Sequence, residues 1–449
     1  MTARPALTLA AALFYSAAAP AAETAGENWP QWRGPAGTGA TPAAGGPTEF
    51  GPERNVKWRA PLPEPGNSTP VVWGDKVFLT QPVTGGGEDG GDLRGLFCFD
   101  RATGKELWRR GLTYTDPERT HRTNPYCSAS PAADAERVVA WFGSAGLVCW
   151  DHDGNELWRR DLGEQSHDWG YGTSPIFYEN LCVLNFGPGD REFLVAVEKA
   201  TGETVWTVDA LGDAAERALG GPEDDGGAND YARDDARGDR LRGSWSTPLV
   251  LNVDGRAELV VTLPRRVSAF DPRTGELLWT CGGLGPLAYA SPAAAGDVVV
   301  GLGGYGGAAL AVRAGGEGDV TDSRRLWHGP RGAWLGTGAT AGGVLYVCDM
   351  RGTLHALDVL SGEDLWKARA GGDGGGGTWG SVTATGDGRM VALTKNGAAT
   401  LFRPDREEFK VLAVNELGER TNASVVAAGA EWFVRTDEAL WCFAGAAGG

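Results

Sequence analysis

The sequence predicts an all-β protein, an eight-bladed β-propeller of four-stranded antiparallel blades whose ring is closed by an N-terminal strand. Three observations predict it. A tryptophan ends the same short cassette seven times within the 449 residues. A second hairpin stands upstream of every cassette. The two ends of the chain carry complementary pieces of a single blade.

The clearest cassettes are L-F-C-F-D-R-A-T-G-K-E-L-W ending at Trp108, V-S-A-F-D-P-R-T-G-E-L-L-W ending at Trp279 and L-H-A-L-D-V-L-S-G-E-D-L-W ending at Trp366. Two more end at Trp158 and Trp206. Each alternates as a strand, turns at a Thr-Gly or Ser-Gly that supplies a positive-φ residue, and re-enters a strand carrying the Trp. Weaker copies continue the register: Trp327 follows a Gly-rich insertion, Phe409 is expected to replace the Trp of the penultimate unit, and Trp58 stands alone near the N-terminus. The Trp is expected to pack between neighbouring sheets. The acids Asp100, Asp151, Glu198, Asp271 and Asp358 are expected to accept backbone N–H bonds across their turns.

The upstream hairpins open with Ser/Thr-Pro or a small-residue equivalent. The first runs from Ser68-Thr69-Pro70 through V-V-W-G-D-K-V-F-L; others begin at Ser130, Ser174, Thr247 and Ser291, and less regularly near Gly338, Ser381 and Asn422. Two hairpins per repeat make four antiparallel strands, and repeats of this length form propeller blades. The last repeat, from Asn422 to Phe443, stops after three strands, while Asn55-Val-Lys-Trp58-Arg has the pattern of an orphan outer strand. The N-terminal strand is therefore expected to complete the last blade and leave no free edge. Seven blades is the alternative count.

Composition narrows the function classes. A net charge of −17 repels nucleic acid and anionic membrane, so neither is an expected partner. Residues 1–21 combine Arg4, an apolar stretch and Ala19-Pro20-Ala21, the pattern of a cleaved signal peptide, which predicts an exported protein, periplasmic or secreted. No Cys precedes Cys98, so no lipid-acylation site is expected at the junction; a soluble monomer without a membrane anchor follows. Residues 22–54 form a strap with the W-P-Q-W-R-G-P stretch, and 55–445 form the propeller. Of the seven Cys, Cys98, Cys149 and Cys442 hold the cassette position that Ala196, Ala269 and Ala356 hold elsewhere, a small buried slot. A bridge among Cys127, Cys182, Cys281 and Cys348 stays open.

The cassettes resemble the PQQ-like β-propeller repeat family over roughly Trp58 to Phe443, and Trp29-Pro-Gln-Trp32-Arg33-Gly34-Pro35 resembles the N-terminal signature of its exported bacterial members. WD40 repeats place Trp directly before the blade's Asp, which happens here only at Trp150-Asp151, and the chain holds no Gly-His dipeptide. The resemblance implies one of two outcomes. One is similar to the quinoprotein alcohol dehydrogenases, with pyrroloquinoline quinone (PQQ), calcium and a catalytic Asp on the axis. The other is similar to BamB, the propeller subunit of the outer-membrane β-barrel assembly machine, which binds protein. Blade signatures do not separate them. The dehydrogenases carry adjacent Cys residues and often a haem domain; this chain has no adjacent Cys pair and no C-x-x-C-H. A non-catalytic scaffold without cofactor is expected, with PQQ and calcium as the alternative and a carbohydrate-binding propeller as the second.

Candidate ligand-binding residues lie just before the first strand of successive blades: Tyr126, Tyr171, Trp245, Tyr289, Trp334 and Trp379, with Arg122, Asn124, His121, His167 and Asp168 beside them. These segments converge on the axis, so the aromatics either line a pocket for a protein segment or a small polar or glycan ligand, or fill the axis by packing on each other. T-H-R-T-N and S-H-D-W-G lack metal-ligand spacing, so no metal site is expected, and no catalytic residue is named. The segment 213–242, acidic with interleaved Arg, reads as a solvated loop or as a lid for a basic partner or calcium.

Overall fold

The computed structural model describes residues 26–116, 118–189, 191–209, 243–372 and 376–445. The leader 1–21 and the acidic insertion 213–242 lie outside the described residues. Eight sheets follow one another around the ring, each built on four antiparallel strands; the fourth adds a short parallel strand, Gly318–Asp319, at its outer edge, and Gly243–Ser244 pairs in parallel with Leu287–Ala288 apart from the blades. Blade one is Val71–Trp73, Lys76–Val83, Asp92–Asp100 and Glu106–Tyr114. Blades two to seven begin with Ala132, Ile176, Leu249, Ala293, Ala339 and Thr383. In blade eight, Val426–Ala428, Glu431–Arg435 and Ala439–Ala444 are completed by Val56–Pro61, whose Trp58 pairs with Cys442. The ring is thus shut by hydrogen bonds between the two ends of the chain. No helix among the described residues is long and apolar enough to cross a membrane.

The first strand of each blade is innermost, and neighbouring first strands touch in blades one to three and five to seven. One residue per blade, just ahead of that strand, carries a hydroxyl. The N–H of Thr69 donates to Ser130 Oγ, Ser130 to Ser174, Ser174 to Thr247, Thr247 to Ser291, Ser291 to Thr337, Thr337 to Ser381, Ser381 to Ser424, and Ser424 back to Thr69, all at 2.8–3.2 Å. This closed circuit counts eight blades independently of the sheets. Pro follows the hydroxyl residue in five of them, which holds that residue extended and removes an N–H that would compete.

A second ring runs near the rim. Trp58, Trp108, Trp158, Trp206, Trp327 and Trp366 each donate Nε1–H to a carbonyl in the outer turn of the next blade, at 2.8–3.1 Å. In five of these the indole lies on the turn's positive-φ glycine: Gly104, Gly154, Gly202, Gly275 and Gly362, where an added Cβ would come within 2.5–2.9 Å of the ring. Glycine is required there twice over, by backbone conformation and by contact. Trp279 departs from the pattern. The next blade's outer turn is replaced by the segment 314–324, and Trp279 donates instead to the buried Glu258 Oε2 at 2.7 Å. Asp100, Asp151, Asp271 and Asp358 accept backbone N–H bonds across their turns, whereas the Glu198 carboxylate accepts only the Thr201 hydroxyl.

Phe409 does not take the Trp position. The strand register puts Ala413 there, opposite Leu401, while Phe409 sits in the turn and receives Trp366 with centroids 5.4 Å apart. The reason lies in the closure. Blade eight has its chain ends where an outer turn would be, so blade seven faces no turn on which a Trp could dock.

The apolar core is divided into seams, each built from two adjacent blades, with the closing seam shared by blades seven, eight and one. Cys98, Cys149 and Cys442 pair across the sheet with Trp108, Trp158 and Trp58, as Ala196 does with Trp206 and Ala356 with Trp366. They are small spacers behind the indole. All seven Cys are unbridged and buried, including Cys127, Cys182, Cys281 and Cys348, and burial pushes the Cys98 and Cys149 thiols up to about 12.

Two outcomes follow. Ser291→Ala, which leaves the buried Thr247 N–H unpaired, should lower unfolding stability by about 1–3 kcal/mol in urea titrations. Thiol titration without reductant should find the native protein unreactive and the denatured protein yielding all seven thiols.

Candidate functional site

The N-terminal strap crosses the axis. Trp29 pairs with Val72 of blade one at 2.8 and 2.9 Å, the Pro30 carbonyl accepts from Ala133 of blade two, and Gln31 Oε1 accepts from Phe177 of blade three. Thr41 and Gly39 pair with Ala384 of blade seven, and Gly26 and Gly45 with Gly429 of blade eight. Arg33 is 2% exposed and sits at positive φ. Its guanidinium donates to the carbonyls of Val382 at 2.6 Å and Thr38 at 2.9 Å, and to that of Gly338. Val382 and Gly338 directly follow the hydroxyl residues of their blades, so this cation lies just beneath the hydroxyl ring. Burial lowers its pKa from the usual arginine value, and carbonyl dipoles replace the lost hydration.

Above the plug the axis opens into a cup of about 310 Å³. Its floor is Trp32 of the strap with Ser174 and Thr247 of the hydroxyl ring. Its wall takes one residue from each blade, always two positions before the ring hydroxyl: Asn67, Ser128, Gly172, Trp245, Tyr289, Leu335, Trp379 and Asn422. An extended chain alternates faces, so the residue two before one that faces the axis faces it too. Trp169 and Tyr305, from loops on the same mouth, complete an aromatic side: Trp169 stacks on Tyr289 with centroids 5.7 Å apart, Trp245 lies 4.8 Å from Tyr289, and Tyr305 meets Trp169 and Tyr289 edge-on. The other side is amide. Asn422 Nδ2 donates to Asn67 Oδ1, Asn67 Nδ2 to Asn124 Oδ1 and to the Thr123 carbonyl, and Asn124 Nδ2 to the Trp169 and Tyr171 carbonyls. No Asp, Glu, Lys, Arg or Cys lines the cup; the imidazole of His121 stands at its edge, bonded to Thr123 Oγ1 at 2.7 Å.

Among the residues singled out from sequence, Trp245, Tyr289, Trp379, Asn124 and His121 meet in this cup. Tyr126, Tyr171 and Trp334 stand three or four positions before the ring hydroxyl and point elsewhere. Tyr126 carries the Arg94 guanidinium 3.1 Å above its ring centroid, Tyr171 is buried on Trp141 and accepts from the Cys127 N–H, and Trp334 is buried against His355. His167 is also buried; its Nδ1 accepts from the Trp169 N–H at 3.1 Å and its ring meets Trp245 edge-on, so it props the wall from behind. Asp168 is ion-paired with Arg119 at the surface, and Arg122 is exposed outside the cup. Sequence reasoning missed Asn67, Asn422, Trp169, Tyr305 and Trp32. The first two had a usable signal, the fixed offset from Ser/Thr, which selects one wall residue per blade without regard to its type.

Fold and cup together define a PQQ-like propeller with a neutral, plugged axis. The family model described as outer membrane protein assembly factor BamB matches residues 91–225, 190–334 and 265–446. The chain belongs to that family. Among solved structures, the fold is similar to BamB from Moraxella catarrhalis, with TM-score 0.58 and 11% identity over 88% of this chain and 98% of that one. It is also similar to the quinohemoprotein alcohol dehydrogenase from Comamonas testosteroni, with TM-score 0.67 and 11% identity over 94% of this chain and 81% of that one. The computationally designed Ika8 protein matches with TM-score 0.52 and 12% identity over 87% of this chain and 98% of that one. At such identities the likeness is one of fold. Among curated proteins no sequence matches this chain.

Arg33→Met leaves three carbonyl acceptors without their donor. It should cost about 3 kcal/mol of stability and make the strap cleavable at Trp32 and Phe50 in limited chymotrypsin digestion, read by mass spectrometry of the N-terminal fragment.

Proposed function

We propose that this protein is a non-catalytic, exported binding propeller that receives a protein segment or a small ligand in its axial cup. The observation that carries the reading is the chemistry of the lining, which offers aromatic faces, amides, hydroxyls and one imidazole, and no carboxylate, ammonium, guanidinium or thiol. Such a wall binds and orients; its imidazole, His121, is engaged by Thr123 Oγ1 at 2.7 Å and has no carboxylate beside it in the lining to orient it as a base.

The alternative, an alcohol dehydrogenase using PQQ and calcium, asks for other residues. Calcium needs several oxygen ligands, usually including carboxylates, and PQQ, a tricarboxylate, needs cations. The cup supplies neither, and among the described residues no three His, Cys, Asp or Glu side chains are placed to hold a metal. The residues present do not fit that group. Export rests on the leader pattern of residues 1–21, and the family's description as an outer membrane assembly factor supports a place in the cell envelope and a protein as one class of partner.

Titration of the purified mature protein with PQQ and calcium, followed by tryptophan fluorescence and quinone absorbance, should give no saturable signal. Saturable binding that is lost in Trp245→Ala or Trp379→Ala would overturn the reading and make the protein a quinoprotein.

A further inference from the structure

The outer strand of blade seven, Lys410–Glu416, pairs on its inner side with Ala398–Arg403. On its outer side, among the described residues, no backbone hydrogen bond from another element reaches it. Blades one to six leave one large aliphatic side chain each exposed: Leu107, Leu157, Val205, Leu277, Leu326 and Leu360. Blade seven leaves three, Val411, Leu412 and Val414, all on this one edge strand. Open sheet edges are ordinarily blocked by charge, by proline or by a covering segment. The outer strands of blades one, two, five, six and eight carry Arg or Lys within two residues of their Trp, and that of blade three is bracketed by Glu203 and Asp209. That of blade four is covered by Gly318–Asp319. K-V-L-A-V-N-E has charge only at its two ends, Lys410 and Glu416, and the two are opposite in sign. The departure follows from the ring closure: with no outer turn on blade eight to receive a Trp, this strand is freed from the cassette pattern, and Ala413 stands where the Trp would be.

We infer that this edge pairs with the same edge of a second copy of the chain, in an antiparallel twofold dimer centred on Ala413. In that register Lys410 of each copy lies opposite Glu416 of the other, Val411 opposite Asn415 and Leu412 opposite Val414, and symmetry makes every pair twice. The neighbouring registers are worse: centring on Leu412 sets Glu408 against Glu416, and centring on Val414 sets Leu412 against Glu416 and Lys410 against Gly418. Lys410 already touches Asp405 and Glu408, and with three donors it reaches Glu416 of the second copy as well. Glu416 is exposed. Two chains of net charge −17 repel each other, but a screening length of about 8 Å at physiological ionic strength removes most of that repulsion between ring centres while the contact pairs persist. One strand pair buries less than the roughly 1,200 Å² of a standard interface, so the dimer is a weak one, in the micromolar range. Antiparallel strands reverse the propeller axes, so the two cups open in opposite directions. The dimer takes the place of the monomer expected from sequence, and it is independent of what the cup binds.

Sedimentation velocity of the full mature protein at physiological salt, from about 5 to about 300 µM, should show a monomer–dimer equilibrium. Leu412→Lys sets a charge against Val414 twice and should weaken the dimer about tenfold, with the thermal transition kept in place. Lys410→Glu and Glu416→Lys should each weaken it, and the two together should restore it, because the pairs re-form with their signs exchanged. Every native thiol is buried, so Ala413→Cys under mild oxidation should give a disulfide-linked dimer, whereas Leu107→Cys on blade one should not. A chain that stays monomeric throughout, with no link through Ala413→Cys, would overturn the inference and leave the edge for a strand of another protein. A dimer indifferent to Leu412→Lys, or one that the double exchange fails to restore, would overturn it as well, since the contact would then lie on another surface or in another register.

Discussion

A closed circuit of hydrogen bonds around the axis, from the backbone N–H of one blade's Ser or Thr to the hydroxyl of the next, is the constraint on which the rest of this molecule depends. Each member donates once and accepts once, and the circuit returns from Ser424 to Thr69. Because these N–H groups are buried, a blade that rotated out of line would leave a donor unmade, at about 1–3 kcal/mol. The circuit sets how close the innermost strands come and the angle at which each sheet leaves the axis. The tryptophan ring then spaces the same sheets at the rim, where each indole spans from its own blade to the glycine and carbonyl of the next turn. Between the two rings the apolar seams have a fixed width, and small Cys or Ala behind each indole matches it.

The functional surface is a consequence of this circuit. Once the ring hydroxyl faces the axis, the residue two positions earlier must face it as well, and eight such residues make a wall whose chemistry is free to vary while the fold is held below. That separation explains how one architecture accommodates the neutral amide and aromatic cup of this chain. The strap adds the second condition. By placing Arg33 under the ring and Trp32 on the floor, it turns a channel into a cup.

The legibility of these features followed their range along the chain. The cassette is local, so its turn glycines, its acids and its Trp could be read directly, and the orphan strand at Val56–Pro61 could be matched to the three-stranded last repeat. Phe409 is an aromatic in the neighbourhood of the missing Trp and so resembles it in sequence, while the register that assigns Ala413 to that position is a property of strand pairing. Tyr126, Tyr171 and Trp334 share aromatic character with the wall residues but stand three or four positions before the Ser/Thr, not the two that place a residue in the wall. Asn67 and Asn422 are the converse: polar residues without a distinguishing motif, placed in the wall by their offset of two from Thr69 and Ser424.

By itself the sequence determined the blade, the count of blades, the closure between the chain ends and the small buried volume of the cassette Cys, all of which rest on periodicities and turn chemistry within about forty residues. Only the tertiary structure decided which side chains share a pocket, that the strap forms its floor, and that the wall sets aromatic rings on one side and an amide chain on the other. Those facts depend on segments from every blade meeting at one axis. The alternation of an extended chain tells which residues share a face, and the ring of hydroxyls tells which face looks inward.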